Sequence, residues 1–82
     1  MERSTEIIKE FKRDIINGND YIACEFDDCV CFIYENQSVI ITYCCDTYYN
    51  ATQIEKDTFL KMSISDIENL INYIYFYAYE VE

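Results

Sequence analysis

The sequence predicts an α+β fold: an N-terminal helix, a three- to four-stranded antiparallel β-meander and a C-terminal helix packed on one sheet face, in a single domain spanning residues 1–82. Three observations lead there. An apolar pattern at helical period opens and closes the chain, and strict alternation fills its middle. The composition is that of a packed globule rather than a disordered acidic chain: 51% hydrophobic and 17% aromatic residues with one Gly and no Pro. At 82 residues there is no room for a second core.

The first element is an amphipathic helix over residues 4–17. Ile7, Ile8, Phe11 and Ile15 fall on one face, and Lys9, Lys12 and Arg13 sit toward its carboxyl end, where the helix dipole favours cations. Asn17-Gly18 then stops it, because glycine accepts the left-handed conformation that closes a helix.

Three alternating segments follow, Tyr21–Phe26, Cys29–Tyr34 and Val39–Cys45, separated by Asp27-Asp28 and by Glu35–Ser38. Even-length hairpins would set Cys24 opposite Cys31, Ile33 beside Ile40, and Cys29 opposite Cys44. The expected core face is then Ile22, Cys24, Phe26, Cys29, Cys31, Ile33, Ile40, Thr42 and Cys44. A one-residue slip in either loop would turn part of that assignment over.

Thr52–Met62 reads as a fourth strand, with Ile54 and Phe59-Leu60 as anchors. Ser63-x-x-Asp66 has the form of a capping box, with Met62 and Ile67 in the staple positions either side of it. Ile67, Leu70, Ile71, Ile74, Ala78 and Val81 form one stripe of a long second helix. The run from Tyr73 to Tyr79 alternates like a strand as well, and the length of the stripe decides for helix.

Catalytic apparatus is absent from the pattern: the chain has no His, no Gly-rich phosphate loop and no nucleophile–base pair, so an enzyme is not expected. Asp27-Asp28 are turn formers first, since aspartate bonds its own backbone and tolerates turn geometry. Five cysteines are an odd count without a pair of C-x-x-C knuckles, which points to reduced thiols rather than zinc or disulfides, and no cofactor is expected. The charged N-terminus lacks the apolar run of a secretory signal, so a cytoplasmic protein is expected, with no membrane contact.

Charge is the informative property. Sixteen Asp and Glu against six Lys and Arg give -10 at pH 7, which excludes direct nucleic-acid binding through a basic face. Residues 1–13 are nearly neutral at +1, so residues 14–82 carry -11. That exceeds the charge a small domain needs for solubility. Such a surface is drawn to basic nucleic-acid channels by steered, salt-sensitive association. The second helix also carries more aromatic rings than one sheet can bury, with Phe76 opposite the stripe and Tyr73, Tyr75, Tyr77 and Tyr79 around it. Tyrosine offers a large rigid face with a polar tip, a frequent component of binding hot spots.

A small acidic helix–meander–helix chain without catalytic residues resembles the phage-encoded anti-CRISPR proteins that inhibit host nucleases as DNA mimics; the resemblance is one of size, charge and element order. It implies a stoichiometric inhibitor in the host-cell cytoplasm, whose partner is a nucleic-acid-binding protein such as a CRISPR effector. The contact residues expected from surface logic are Glu25, Asp27, Asp28, Glu35 and Asp46 along the sheet's turns, with Tyr48, Tyr49, Tyr73 and Tyr77 beside them. The alternative is a small regulatory module that binds a protein partner, or a second copy of itself, through the tyrosine-rich surface.

Overall fold

The computed structural model describes residues 2–81. Helix α1 (Glu2–Ile16) leads into strands β1 (Tyr21–Glu25), β2 (Val30–Glu35), β3 (Ser38–Cys45) and β4 (Tyr48–Glu55). Helices α2 (Lys56–Lys61) and α3 (Ile64–Phe76) and a two-residue strand β5 (Tyr79–Glu80) complete the chain. The five strands form one antiparallel sheet in sequence order, β1-β2-β3-β4-β5. The helices cover one of its faces.

Helix α1 buries Ile8, Phe11 and Ile15, as its period predicts. Its end at Gly18 is also as expected: the glycine sits at φ +96, a left-handed conformation that side chains resist. Lys12 has a structural task here. Its Nζ donates to the carbonyls of Met62 and Leu60 and lies 5.8 Å from the centre of the Phe59 ring, so it clamps α1 to the end of α2. Partial burial lowers its pKa.

The first hairpin departs from the even-length expectation. Asp27 Oδ1 accepts from the backbone N–H groups of both Cys29 and Val30, at 2.8 Å each. The N–H groups of Phe26 and Asp27 converge on the Val30 carbonyl, at 2.8 and 3.2 Å. The loop therefore holds three residues, Asp27-Asp28-Cys29, and Cys24 lies opposite Phe32 instead of Cys31. The extra residue turns β2 over, and β3 follows it, because Ile33 still pairs with Ile40 and the Cys44 N–H still meets the Cys29 carbonyl.

The core is thus built from Ile22, Cys24 and Phe26 as expected, but from Val30, Phe32, Tyr34, Val39 and Ile41 in place of Cys29, Cys31, Ile33, Ile40, Thr42 and Cys44. The cysteine layer read from the sequence does not exist. Cys31 and Cys44 are exposed, and Ile33 and Ile40 lie half-buried side by side on the uncovered face.

Two more hairpins set the register. Asn36 and Gln37 form the β2–β3 turn with φ of 56 and 66, the paired left-handed geometry that matches strand twist. Glutamine is poorly suited to it, at a cost of about 1 kcal/mol. Gln37→Gly is therefore expected to stabilise the protein by about that amount, read as a higher urea midpoint with an unchanged slope. Asp46 takes φ 55 in the β3–β4 turn, where a short polar side chain is tolerated.

The fourth strand begins earlier than the pattern suggested and ends at Glu55, and Lys56–Lys61 is helical. Phe59 and Leu60 still act as anchors, with Phe59 wholly buried. The capping box is present: Ser63 Oγ accepts from the Asp66 N–H at 3.0 Å, and the Ser63 N–H reaches back to Asp66 Oδ2 at 3.4 Å. Ile67, Ile71 and Ile74 then bury against the sheet.

Helix α3 stops at Phe76, so Ala78 and Val81 are not part of its stripe. Past Phe76 the apolar stripe has no core left to enter. The free edge of β4 offers its backbone instead: Tyr79 pairs with Tyr49, Glu80 pairs with Tyr48, and the Val81 N–H reaches the Thr47 carbonyl at 2.6 Å. Asn50 holds the junction, donating from Nδ2 to the Ile74 carbonyl at 3.1 Å.

Candidate interaction surface

Strand alternation divides the sheet into a helix-covered face and an open one. The open face carries Tyr21, Ala23 and Glu25 from β1, Cys31, Ile33 and Glu35 from β2, Ser38, Ile40, Thr42 and Cys44 from β3, and Tyr49, Ala51, Gln53 and Glu55 from β4. Its only charges are negative. All six cations of the protein lie in α1 or α2, namely Arg3, Lys9, Lys12, Arg13, Lys56 and Lys61. The rest of the chain has eleven carboxylates and no cation; one of the eleven, Glu82, lies outside the described residues.

The meander sorts the expected contact residues by end. Asp27 and Asp28 in the first turn and Asp46 in the third share one end of the sheet, with Glu25 just below them. Glu35 lies at the opposite end, in register with Tyr21, Ser38 and Glu55. From Glu25 to Glu35 the separation is about 14 Å, given four residues of strand rise and one strand spacing. One broad partner can touch both.

The tyrosines divide as well. Tyr49 is half-buried on the open face, its ring 6.2 Å from that of Tyr79. Tyr48 faces the helical side, and Tyr73 and Tyr77 are exposed on α3 and just past it, with ring centres 4.6 Å apart. The nine expected residues therefore do not form one patch. Glu25, Glu35 and Tyr49 share the open face, Asp27, Asp28 and Asp46 its rim, and Tyr48, Tyr73 and Tyr77 a second surface. Phe76, 75% exposed, belongs with that second surface and was signalled by its position opposite the buried stripe.

Asp27 and Asp28 have unequal roles despite being adjacent. The Asp27 carboxylate is committed to the turn, and Asp28 is exposed and free of any such bond. Both line a groove of about 660 Å³ between the start of α1, the first turn and α3, together with Arg3, Ile7, Cys29, Tyr43 and Tyr75.

Cys29 and Tyr43 at this end hold their protons tightly. A hydrogen bond with Cys45, aided by loss of solvent and by the Asp27 and Asp28 carboxylates, pushes the Cys29 thiol up to about 11. Loss of solvent, together with a hydrogen bond to Cys45, pushes the Tyr43 hydroxyl up to about 12. Both groups hold their protons more tightly folded than unfolded, so unfolding releases protons. Stability is then fully present below the unfolded thiol value of 9.0 and declines as pH rises through about 11 and about 12. Thermal melts are expected to show Tm falling from about pH 9 upward, less steeply in Cys29→Ser than in the parent protein.

Among the described residues, no group of three or more His, Cys, Asp or Glu is placed to hold a metal ion. No helix among them is long and apolar enough to cross a membrane. No family model, curated protein or solved structure matches the chain.

Proposed function

We propose that the protein is a stoichiometric inhibitor of a nucleic-acid-binding protein, of the anti-CRISPR kind, and that it occupies the site where a CRISPR effector grips DNA. The carrying observation is the segregation of charge. With every cation confined to α1 and α2, the open sheet face carries only negative charge, and the cations nearest it stand at its ends, Arg3 beside the first turn and Lys56 beside the second.

A partner built to hold a phosphate backbone meets the open face with its own Lys and Arg and finds only carboxylates among the charges there. The half-buried Ile33, Ile40 and Ala51 at the centre of the face give the contact an apolar middle inside an acidic rim, the usual anatomy of a protein interface. Glu25, Asp28, Glu35 and Asp46 are exposed and available to pair, whereas the Asp27 carboxylate is engaged in its turn.

The test is competition for target DNA across a panel of purified CRISPR effector nucleases and complexes. Inhibition is expected at one inhibitor per effector, with affinity that falls steeply between about 50 and about 500 mM salt. Inhibition that is catalytic, or that persists unchanged at high salt, would overturn the reading.

A further inference from the structure

We infer that the aromatic surface at the end of α3 is a two-fold interface that joins two copies of this chain. It is a different surface from the acidic face, and the inference does not depend on the inhibitor reading. Tyr48, Tyr73, Tyr75, Phe76 and Tyr77 are between 48% and 75% exposed. They form a continuous patch: the Tyr77 ring lies tilted against Tyr73 at 4.6 Å and edge-on to Phe76 at 5.0 Å, and Phe76, Tyr75 and Tyr48 line one groove.

Its size argues for an occupant. At about 200 Å² per aromatic side chain, these exposures leave roughly 600 Å² of ring surface open, at the upper limit for the largest apolar patch of a typical monomer. Covering it on two copies buries roughly 1,200 Å², the lower bound for a stable specific interface. No residue of the patch is charged.

Its shape argues that the occupant is a second copy. An isologous interface needs a projection and a matching recess on the same surface. Phe76 is the projection, 75% exposed at the last position of α3. The recess is the adjoining groove of about 330 Å³, lined by Tyr43, Tyr48, Tyr75, Phe76 and Ala78. A cavity of about 150 Å³ is enough for a benzene ring, so the groove has room for the partner copy's Phe76. The tyrosine hydroxyls at the rim both donate and accept, which suits pairing across a two-fold axis.

Charge fixes the sign of the salt effect. Each copy carries -10, so dimerisation works against mutual repulsion and strengthens when salt screens it. Binding of a basic partner to the acidic face has the opposite dependence.

Sedimentation velocity under reducing conditions, which exclude links through the five cysteines, reads the result directly. A species of twice the 9.9 kDa chain mass is expected at micromolar concentration, with dimer affinity rising between about 50 and about 500 mM salt. Phe76→Asp is expected to weaken it at least about 30-fold. Because Phe76 lies at the exposed end of α3, its far-ultraviolet dichroism stays that of the parent, and Tyr73→Ala provides a second variant with the same expected direction. A monomer at all concentrations and salts would assign the patch to another protein and overturn the inference. So would a dimer weakened by salt, or one indifferent to both substitutions.

Discussion

Phe32→Ala is expected to remove a large part of the protein's stability, about 3–5 kcal/mol. Phe32 is fully buried at the centre of β2 and is the meeting point of the layers. Its ring is 5.2 Å from Phe11 of α1 and 6.3 Å from Phe59 of α2, both edge-on, and it stacks at 5.2 Å on Phe26 before the first turn. Phe11 and Phe59 also meet each other at 5.7 Å. Truncating the central ring leaves a cavity bounded by three aromatic neighbours, two of which, Phe11 and Phe59, cannot collapse into it without moving a helix. A domain of this length has a total stability of about 4–12 kcal/mol, so the loss is a large fraction of the whole. Urea unfolding followed by dichroism should show either a midpoint lowered by about 2 M or no folded baseline at all. Phe32→Leu, which keeps most of the volume, should remain folded and lose far less. Phe26→Ala removes a ring that is only half-buried and should be the milder of the two alanine changes. A reversed order would place the core elsewhere.

That core was only half legible in the sequence. The helix faces of Ile8, Phe11 and Ile15 and of Ile67, Ile71 and Ile74 follow from period alone, and the capping box at Ser63 marks the start of α3 by chemistry that is local. The sheet was harder, because both of its faces read as apolar and the choice between them hung on one loop. Asp27 decides it by accepting two backbone hydrogen bonds, which makes room for a third loop residue and turns Phe32 inward and Cys31 outward. An Asp-Asp pair shows that a turn is present and leaves its length open. The end of α3 was illegible for a different reason. Tyr73 to Tyr79 fits both periods, and what separates them is the free edge of β4, a tertiary feature that Tyr79 and Glu80 complete. The contact residues were legible as charges and rings, and their division between two surfaces was not, since it depends on which end of the meander each turn occupies.

The same geometry selects the substitutions with the largest expected functional effect. Reversing Glu25, Asp28 and Glu35 together to lysine is expected to weaken inhibition of a CRISPR effector by roughly 100-fold. Each reversal removes a rim ion pair worth about 0.2–1 kcal/mol and adds a repulsion of similar size, so three give about 3 kcal/mol. The fold should persist, because all three side chains are exposed and none is used in a turn or cap. Asp27 and Asp46 are left out for the opposite reason: Asp27→Lys would break the two bonds that set the β2 register, and Asp46→Lys would strain a left-handed residue, so lost activity in either would report folding. Lys9→Glu with Arg13→Glu on α1 is the control, since both side chains are exposed on the helical side and lie outside the proposed contact. The salt dependence should flatten in the triple variant and stay as it was in the control, which ties the loss to electrostatics instead of general damage. Full inhibition by the triple variant would remove the open face from the mechanism. Comparison of Glu35→Lys alone with Glu25→Lys and Asp28→Lys together then locates the contact, because the two sets lie at opposite ends of the sheet and a partner gripping one end would feel only one of them.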